Sequence, residues 1–444
     1  MSGVGLLAVL AIGGLIYGFA MRADETPATG PVAGGGGNTT TISDEEITEI
    51  LDDHGRALEE GDLEAFLAPF VGEDVKSEQR DLFDNLRKVS FSETSYALSA
   101  KEGRGTDSYG QGASLVVDVA FVHQIEDVDV TPVAEWYSWT VEKPSQDAEL
   151  KVTKVAGSDR KYLGRGGLVY HPAPWDLYED MAAIRKDHVL VLADQKKIDH
   201  ARRLAPLVEQ AAEENLAAWE AAGPQEAPAM PGFVVALEND RQSYEKLYRK
   251  KKTDSTSEAG VAYALPSRGG SEEDRDIHVG GARIVIDTGS GRFQPHRWPG
   301  GPLEISRHEI AHAMIAHTEG HVTDGDTQRW VVEGFGDYMA FREDKATAEA
   351  EIAAMKTRIG GSFDGRLPQS ATFYAPGDGN PNYTLGYLAL RFIAEKGGED
   401  AAFTFVTDHY KKPEKLDAQL RKATGMGTAE FEEAWADYVR KAMA

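Results

Sequence analysis

The spacing of apolar residues first predicts helices, beginning at Ser43. A Ser-x-x-Glu capping box, Ser43 to Glu46, precedes apolar residues at helical spacing, among them Ile47, Leu51 and Leu58. The segment SDEEITEILDDHGRALEEGDLEAFLAPF therefore predicts that the first folded region begins with helices.

After Leu86 the pattern changes to a period of two. Val117, Val119 and Phe121 share one face of ASLVVDVAFVHQI, and further strands are predicted in VAEWYSWTVE and AELKVTKVAG. Helices followed by long antiparallel strands predict a small α+β domain over residues 43–171.

This order of elements, with ALEEGDLEAFLAPF ahead of the strands, resembles the nuclear-transport-factor-type (SnoaL-like) cone. The resemblance implies either a ligand cavity or a scaffold. His123, Asp127 and Asp129 are polar residues that either line such a cavity or lie at strand ends. The sequence assigns them no role.

A second region, predicted over residues 172–444, follows the proline-containing linker HPAPWDLYED. It starts with an amphipathic helix, KIDHARRLAPLVEQAAEENLAAW, which ends at Gly223-Pro224. Strands are predicted in GFVVALEN and ARIVIDTG, with a helical piece, RQSYEKLYRK, between them. This β-rich lobe leads into a histidine-rich helix, so the fold class predicted for the whole chain is α+β.

The N-terminal segment 1–22 has no charged side chain before Arg22, and an apolar run of about 18–20 residues can span a bilayer. It lacks basic residues at its start and an A-x-A-like site at its end, which favours an uncleaved single-pass membrane anchor over a signal peptide. The Gly-, Pro- and Thr-rich segment 23–42 predicts a flexible linker. We expect the main part of the chain outside the cytoplasm, with secretion after signal cleavage as the alternative.

The composition limits both the partners that the protein can bind and the residue types that could hold a metal. The formal net charge of −26 argues against nucleic acid as a partner, because phosphate contacts need clustered Lys and Arg. The basic run 249–252 is better explained as the solvated end of a helix. The sequence contains no cysteine, so a metal would have to be held by His, Asp or Glu.

The stretch SRHEIAHAMIAHTEGH contains an H-E-x-x-H motif, formed by His308, Glu309 and His312. Histidines four residues apart on a helix can reach one metal ion, and neutral imidazole nitrogen is a ligand that zinc favours. Glu309 can then take a proton from metal-bound water. Pro302 suits the first turn of this helix. Two alternatives are a surface helix with incidental histidines and a capping box formed by Ser306 and Glu309.

A catalytic zinc takes three protein ligands and leaves one position for water. His317 lies about 140° around the helix from His312, so it faces elsewhere. Thr318 stands where the metzincin pattern requires its third histidine, so that pattern fails. We expect His317 and His321 to face solvent near the end of the helix.

The third ligand is predicted in RWVVEGFGDYMAF. The chain between His312 and Glu333 is long enough to turn and send a second helix past the first, which makes Glu333 the candidate. Asp337, one turn further along the same face, can accept the outer N–H of a metal-bound imidazole and fix its orientation.

These motifs resemble the gluzincin zinc metallopeptidases, and more closely the small peptidase MA-like members of that group. The match lies in H-E-x-x-H at 308–312 and W-x-x-E-G-x-x-x-Y at 330–338, and it extends over about residues 185–444. ARIVIDTG resembles the edge strand that pairs with extended substrate in that group. The sequence lacks an obvious G-x-M-E-N segment, so the resemblance favours an endopeptidase over an aminopeptidase.

The segment NYTLGYLALRFIAEKGG resembles the Y-x-x-G helix of the gluzincins. By this resemblance Tyr383 would supply the hydroxyl that stabilises the oxyanion, with Tyr387 and His409 as rivals. The function implied is a membrane-anchored, Zn²⁺-dependent peptidase acting on a peptide or protein. Two other classes stay open: a non-catalytic cell-envelope binding or assembly protein with a structural zinc site, and a ligand-sensing protein that uses residues 43–171.

Overall fold

The fold is known from a computed structural model, which describes residues 39–102, 112–158, 171–248, 258–268, 279–294, 300–318, 327–374 and 379–444. The strands are β1 (Phe91–Glu102), β2 (Ala113–Ile125), β3 (Val133–Lys143), β4 (Lys151–Gly157), β5 (Met181–Arg185), β6 (Val189–Asp194), β7 (Phe233–Glu238), β8 (Gly260–Pro266) and β9 (Val279–Asp287). The helices are α1 (Asp44–Glu60), α2 (Leu63–Leu67), α3 (Glu73–Leu86), α4 (Pro174–Leu177), α5 (Ile198–Ala222), α6 (Arg241–Tyr244), α7 (Gly301–Ile315), α8 (Arg329–Phe341), α9 (Lys345–Ser362), α10 (Gly379–Gly397), α11 (Glu399–Lys411), α12 (Leu416–Thr424) and α13 (Thr428–Ala442). The predicted α+β class is confirmed.

Strands β1 to β4 form an antiparallel sheet in sequence order. The predicted face of β2 is confirmed, because Val117, Val119 and Phe121 are all buried in one core together with residues of α1 to α3. On β3, Tyr137 faces that same core, whereas Trp136 belongs to a small cluster on the other face. Strand β1, which was not predicted, completes the sheet by pairing with β2.

The capping box predicted at the start of the first helix is present. The backbone N–H of Glu46 donates to the Ser43 hydroxyl, and the backbone N–H of Ser43 donates to the Glu46 carboxylate. These two bonds satisfy donors that the first turn of α1 would otherwise leave unpaired.

The second sheet has five strands in the order β5-β6-β7-β9-β8. Strands β6, β7 and β9 are mutually parallel, whereas β5 and β8 run antiparallel to their neighbours at the two edges. ARIVIDTG forms part of β9, as predicted for a strand, but its expected place at the edge of the sheet is wrong. Every residue of β9 is buried, because the strand is covered on both faces and paired on both sides. The edge strand on this side of the sheet is β8, which follows β7 in sequence but pairs with the far side of β9.

The two faces of the five-stranded sheet contact different parts of the chain. One face packs against α5 and α7 in a large core that continues into the C-terminal helices. The other face, which includes Leu192, Val234 and Leu265, is buried in the same apolar cluster as Phe66, Trp139 and the rest of the first region. The four-stranded and five-stranded sheets therefore share one continuous core.

A buried ion pair joins the two sheets. Arg283 of β9 is fully buried and donates to both carboxylate oxygens of Asp129, at 2.6 and 2.9 Å. His123 Nε2 lies 3.2 Å from the same guanidinium. Of the three polar residues left without a role by the sequence, His123 and Asp129 thus contact Arg283, whereas Asp127 lies at the surface beside Arg185.

Several predictions fall outside the described residues: the membrane anchor at 1–22, most of the linker at 23–42, the basic run 249–252, and His321. Among the helices that the structure describes, none combines the length and apolar character needed to cross a bilayer.

Candidate metal centre

Helix α7 carries the H-E-x-x-H motif through the interior of the molecule. Of its 15 residues, all are buried except Pro302 and Leu303 in the first turn, where proline was expected. Neighbouring elements enclose the helix on all sides, so its polar residues are buried along with its apolar ones. Ser306 lies inside the helix and is fully buried, so the alternative of a capping box with Glu309 is wrong.

Helix α8 brings the second half of the motif alongside, as predicted. Glycines allow its close approach. A Cβ at Gly336 would lie 2.7 Å from His308 Cε1, and one at Gly334 would lie 2.5 Å from the carbonyl oxygen of Gly386 on α10. Because both distances are shorter than real Cβ contacts, larger residues at these positions would push α8 away from its neighbours.

His308, His312 and Glu333 form a buried group whose candidate ligand atoms all lie within 4.8 Å of one another. Glu333 Oε2 lies 3.3 Å from His308 Nε2 and 3.6 Å from His312 Nε2. Within the described part of the chain this oxygen has no hydrogen-bond partner, although it is buried. Two imidazole nitrogens and one carboxylate oxygen that converge in this way fit a divalent cation.

Asp337 orients the first histidine. Its Oδ1 lies 2.9 Å from His308 Nδ1, and since a carboxylate accepts, Nδ1 carries the proton, while Nε2 lies 3.0 Å from His312 Nε2 within the group. Burial lowers the pKa of His308, but the contacts with Asp337 and Glu333 outweigh it and raise this pKa well above its ordinary value. The predicted contact between Asp337 and a ligand histidine is therefore present.

The pKa values of the other two members of the group are both lowered, for different reasons. Burial alone would raise the pKa of Glu333, but the two imidazoles beside it hold this pKa down, at about 2. Burial lowers the pKa of His312, which favours the neutral form that binds metals. An ionised carboxylate and a neutral imidazole are the protonation states that metal binding requires.

Glu309 lies beside this group and borders the edge of the second sheet. A Cβ at Gly260, the first residue of β8, would lie 2.7 Å from the Glu309 carboxylate. Burial raises the pKa of Glu309 to about 8, and nearby carboxylates add to the effect. Glu309 Oε2 has no hydrogen-bond partner among the described residues. A buried carboxyl with a free oxygen next to a cation site is suited to accept and return a proton.

The structure separates the three candidates for the oxyanion-stabilising residue. The Tyr383 ring lies 6.1 Å from the His308 ring. The Tyr387 ring instead packs against Phe341, and both ring nitrogens of His409 are engaged, one by the backbone N–H of Gln328 and one by a side-chain amide oxygen. Tyr383 is thus the candidate whose ring contacts a member of the ligand group, and its role stays a prediction.

Tyr374 was missed by the sequence analysis. Its hydroxyl donates to Glu333 Oε1, the carboxylate oxygen that does not face the histidines. The residue lies in an irregular segment before α10, about 40 positions after Glu333. No periodicity or motif marks it, so only the folded structure identifies it.

His317 is half-buried, and the prediction that it faces solvent is wrong. Burial lowers the pKa of His317, and the carbonyl of Pro228 partly opposes that effect. The prediction that this histidine points away from the metal ligands is consistent with its absence from the ligand group.

The first region carries a groove of about 540 Å³ between α1, α2 and the start of β4. Its lining mixes the carboxylates Glu49 and Glu60 with the apolar Pro69 and Leu150. If the ligand-sensing alternative holds, this groove is the place where a ligand would bind, but its lining does not identify the ligand.

The sequence matches no protein-family model, and none of the curated proteins is significantly similar to it. The functional argument therefore rests on the geometry of the metal centre.

Proposed function

We propose that the protein is a zinc-dependent peptidase that hydrolyses peptide bonds with metal-activated water. The observation that carries this proposal is the buried oxygen of Glu333, which lacks a hydrogen-bond partner among the described residues and lies between the Nε2 atoms of His308 and His312. Two imidazoles and one carboxylate are a ligand set that catalytic zinc sites use, with one coordination position left for water.

Each residue has a distinct task in this proposal. His308, His312 and Glu333 would hold the ion, which when bound supplies Lewis-acid polarisation of the scissile carbonyl and lowers the pKa of water. Asp337 keeps His308 in the tautomer with Nε2 free. Glu309 takes a proton from the attacking water and returns it to the leaving amine.

The proposed substrate is an internal peptide bond of a peptide or protein. Tyr383 remains the proposed oxyanion donor, because its ring lies beside His308. The membrane anchor and the extracytoplasmic location remain predictions from the N-terminal sequence. Burial of the ligand residues also supports a second candidate, a non-catalytic protein with a structural zinc site.

Matched variants of the full-length protein test the proposal. Glu309→Gln should keep about one zinc per chain and lose hydrolysis of a mixed peptide library by a factor of about 10² or more, because it removes the proton acceptor alone. Glu333→Gln should lose both zinc and activity.

The outcomes separate the candidates. Zinc in the parent without hydrolysis of any library peptide would favour the structural-zinc protein. Failure of the parent to bind zinc even when zinc is supplied would contradict both. Cleavage that Glu309→Gln leaves unchanged would place the activity elsewhere in the preparation.

A further inference from the structure

Tyr374 reaches the candidate metal centre from outside the two ligand helices. Its hydroxyl donates to Glu333 Oε1, a direct hydrogen bond to a member of the ligand group. This contact has no part in the tasks assigned above to Glu309, Asp337 or Tyr383.

The two oxygens of Glu333 have different surroundings. Oε1 accepts from Tyr374, whereas Oε2 faces His308 and His312 without a hydrogen bond from any described residue. An oxygen that already accepts a hydrogen bond from a phenol is less available to a cation than a free one. The carboxylate is thus divided into one oxygen held by the protein and one available to a cation.

Contacts from two helices hold Tyr374 in this position. On the α8 side, the guanidinium of Arg329 lies over its ring, 5.9 Å from the ring centroid. On the α10 side, Asn382 donates to the carbonyl of Phe373 at 2.9 Å, and the Phe373 ring lies 5.1 Å from that of Tyr374. The phenol therefore has supporting contacts besides the bond to Glu333.

We propose that Tyr374 is a positioning residue that restricts Glu333 to binding the metal through Oε2 alone. The inference rests on the proposed metal centre but not on peptidase activity. A carboxylate that binds through one oxygen uses one coordination position, and one that binds through both uses two. With two histidines, one-oxygen binding leaves a four-coordinate site with room for water, whereas two-oxygen binding would fill that room.

The inference also concerns the choice of metal. Four-coordinate sites with two imidazoles suit zinc, whereas larger or harder ions such as Mn²⁺ prefer more oxygen ligands and higher coordination numbers. By withholding Oε1, Tyr374 would favour zinc over such ions.

The test compares the parent with Tyr374→Phe, in which the ring remains and only the hydroxyl is lost. The full-length proteins are loaded with Co²⁺, whose visible absorption is strong when four-coordinate and weaker at higher coordination. Tyr374→Phe should show weaker absorption per bound cobalt, because Oε1 becomes free to bind. Zinc affinity, measured by competition with a chelator, should fall about tenfold, and the ratio of zinc to Mn²⁺ affinity should fall with it.

Tyr438→Phe is the matched control. The Tyr438 hydroxyl also donates to a glutamate, Glu395 at 2.5 Å, but on α13 and outside the ligand group. Its cobalt spectrum and zinc affinity should equal those of the parent. Circular dichroism of the metal-free proteins checks that the phenylalanine variants are folded. If Tyr374→Phe is unfolded, the same spectra are recorded for Asn382→Ala, which loosens Phe373 without touching the centre, and a weaker cobalt band is again expected.

The possible results separate the role of Tyr374 from the existence of the metal centre. A parent that binds no metal overturns both. A parent that binds zinc, with the same cobalt spectrum and affinity ratio in Tyr374→Phe, overturns the role of Tyr374 and leaves the zinc centre standing. A general loss of affinity for zinc and Mn²⁺ alike, with an unchanged spectrum, would also overturn it, because that result describes a structural contact.

Discussion

Two of the clusters of buried charged residues that the structure describes differ in the source of their positive charge. In the cluster between the sheets, Arg283 binds both oxygens of Asp129, and His123 lies against the same guanidinium. Burial and the adjacent Arg283 lower the pKa of His123 well below its ordinary value. The protein itself thus supplies the cation that this cluster needs.

The cluster between α7 and α8 is built differently. Among the described residues, neither Glu333 nor Asp337 forms an ion pair with a lysine or arginine, and the ion-pair contacts of both are to histidines. A proton on His308 is the positive charge that the cluster itself can provide, and a metal ion competes with protons for imidazole nitrogen. Burial of charge alone therefore does not mark a functional site. A cluster that includes its own fixed cation needs no bound ion, whereas one that lacks a fixed cation is suited to bind one.

Breaking the Arg283 pair should produce the largest effect. Asp129→Ala leaves a buried guanidinium without its carboxylate and should lower the free energy of unfolding of the metal-free protein by about 3–5 kcal/mol. The double variant Asp129→Leu/Arg283→Met should be much closer to the parent, because neither charge remains. Urea unfolding measures both. An equal loss in the single and double variants would contradict the view that the pair is self-contained.

Zinc should stabilise the protein through the cluster between α7 and α8, and the cluster around Arg283 should have no part in this effect. At a zinc concentration 100 times the measured Kd, the free energy of unfolding of the parent should rise by about 2.7 kcal/mol. The same rise is expected in Asp129→Leu/Arg283→Met, whereas Glu333→Gln should show none. A rise in Glu333→Gln equal to that of the parent would place the zinc site elsewhere.

The contact between α8 and His308 should be sensitive to a single methyl group. Gly336→Ala brings a Cβ to 2.7 Å from the imidazole and should lower zinc affinity about tenfold, although alanine favours helices. Gly360→Ala in α9 is the control, because its Cβ would meet nothing within 4 Å. The control should keep full zinc affinity and gain about 0.5–1 kcal/mol of stability. Equal affinities in both variants would show that His308 can move without cost.

The buried histidine His54, which lies outside both clusters, should give the smallest effect. Burial lowers the pKa of His54 to about 3, and the carbonyl of Phe66 partly opposes this. Below its ordinary pKa of 6.5 the unfolded chain binds a proton that the folded chain does not, so stability falls as the pH falls.

As the pH falls from 7.5 to 6.0, His54 should therefore lower the free energy of unfolding of the parent by about 0.8 kcal/mol. His54→Phe, which preserves stacking on Phe66, should remove that part of the pH dependence. Equal slopes of unfolding free energy against pH in both proteins would mean that His54 is accessible to protons when folded.

The candidate metal-binding residues could be predicted in part because local spacing pairs them on each of two helices. His308 and His312 lie four positions apart on one helix, and Glu333 and Asp337 repeat that spacing on the next. An amphipathic period also predicted β2, β3 and α5 correctly. Such signals depend only on residues close in the sequence.

What could not be predicted depends on distant parts of the chain. Asp129 and Arg283 are separated by 154 positions. The position of Arg283 within an apolar strand indicates that it needs a buried partner, but the sequence does not show which residue that is. The order of the second sheet was missed because β9 inserts between β7 and β8. Tyr374 lies in a segment without periodicity, so no local pattern indicates that its hydroxyl reaches Glu333.

The core shared by the two sheets has a consequence for how the protein is made. The ribosome releases β1 to β4 before the strands that cover their apolar face, and β9 ends only at Asp287. Until then the nascent chain lacks the part of this core that the second sheet supplies, and an incompletely covered core is the kind of surface that binds chaperones or aggregates. Slow or interrupted translation between the two sheets would therefore reduce the yield of the candidate metal centre, although His308, His312 and Glu333 have not yet been synthesised.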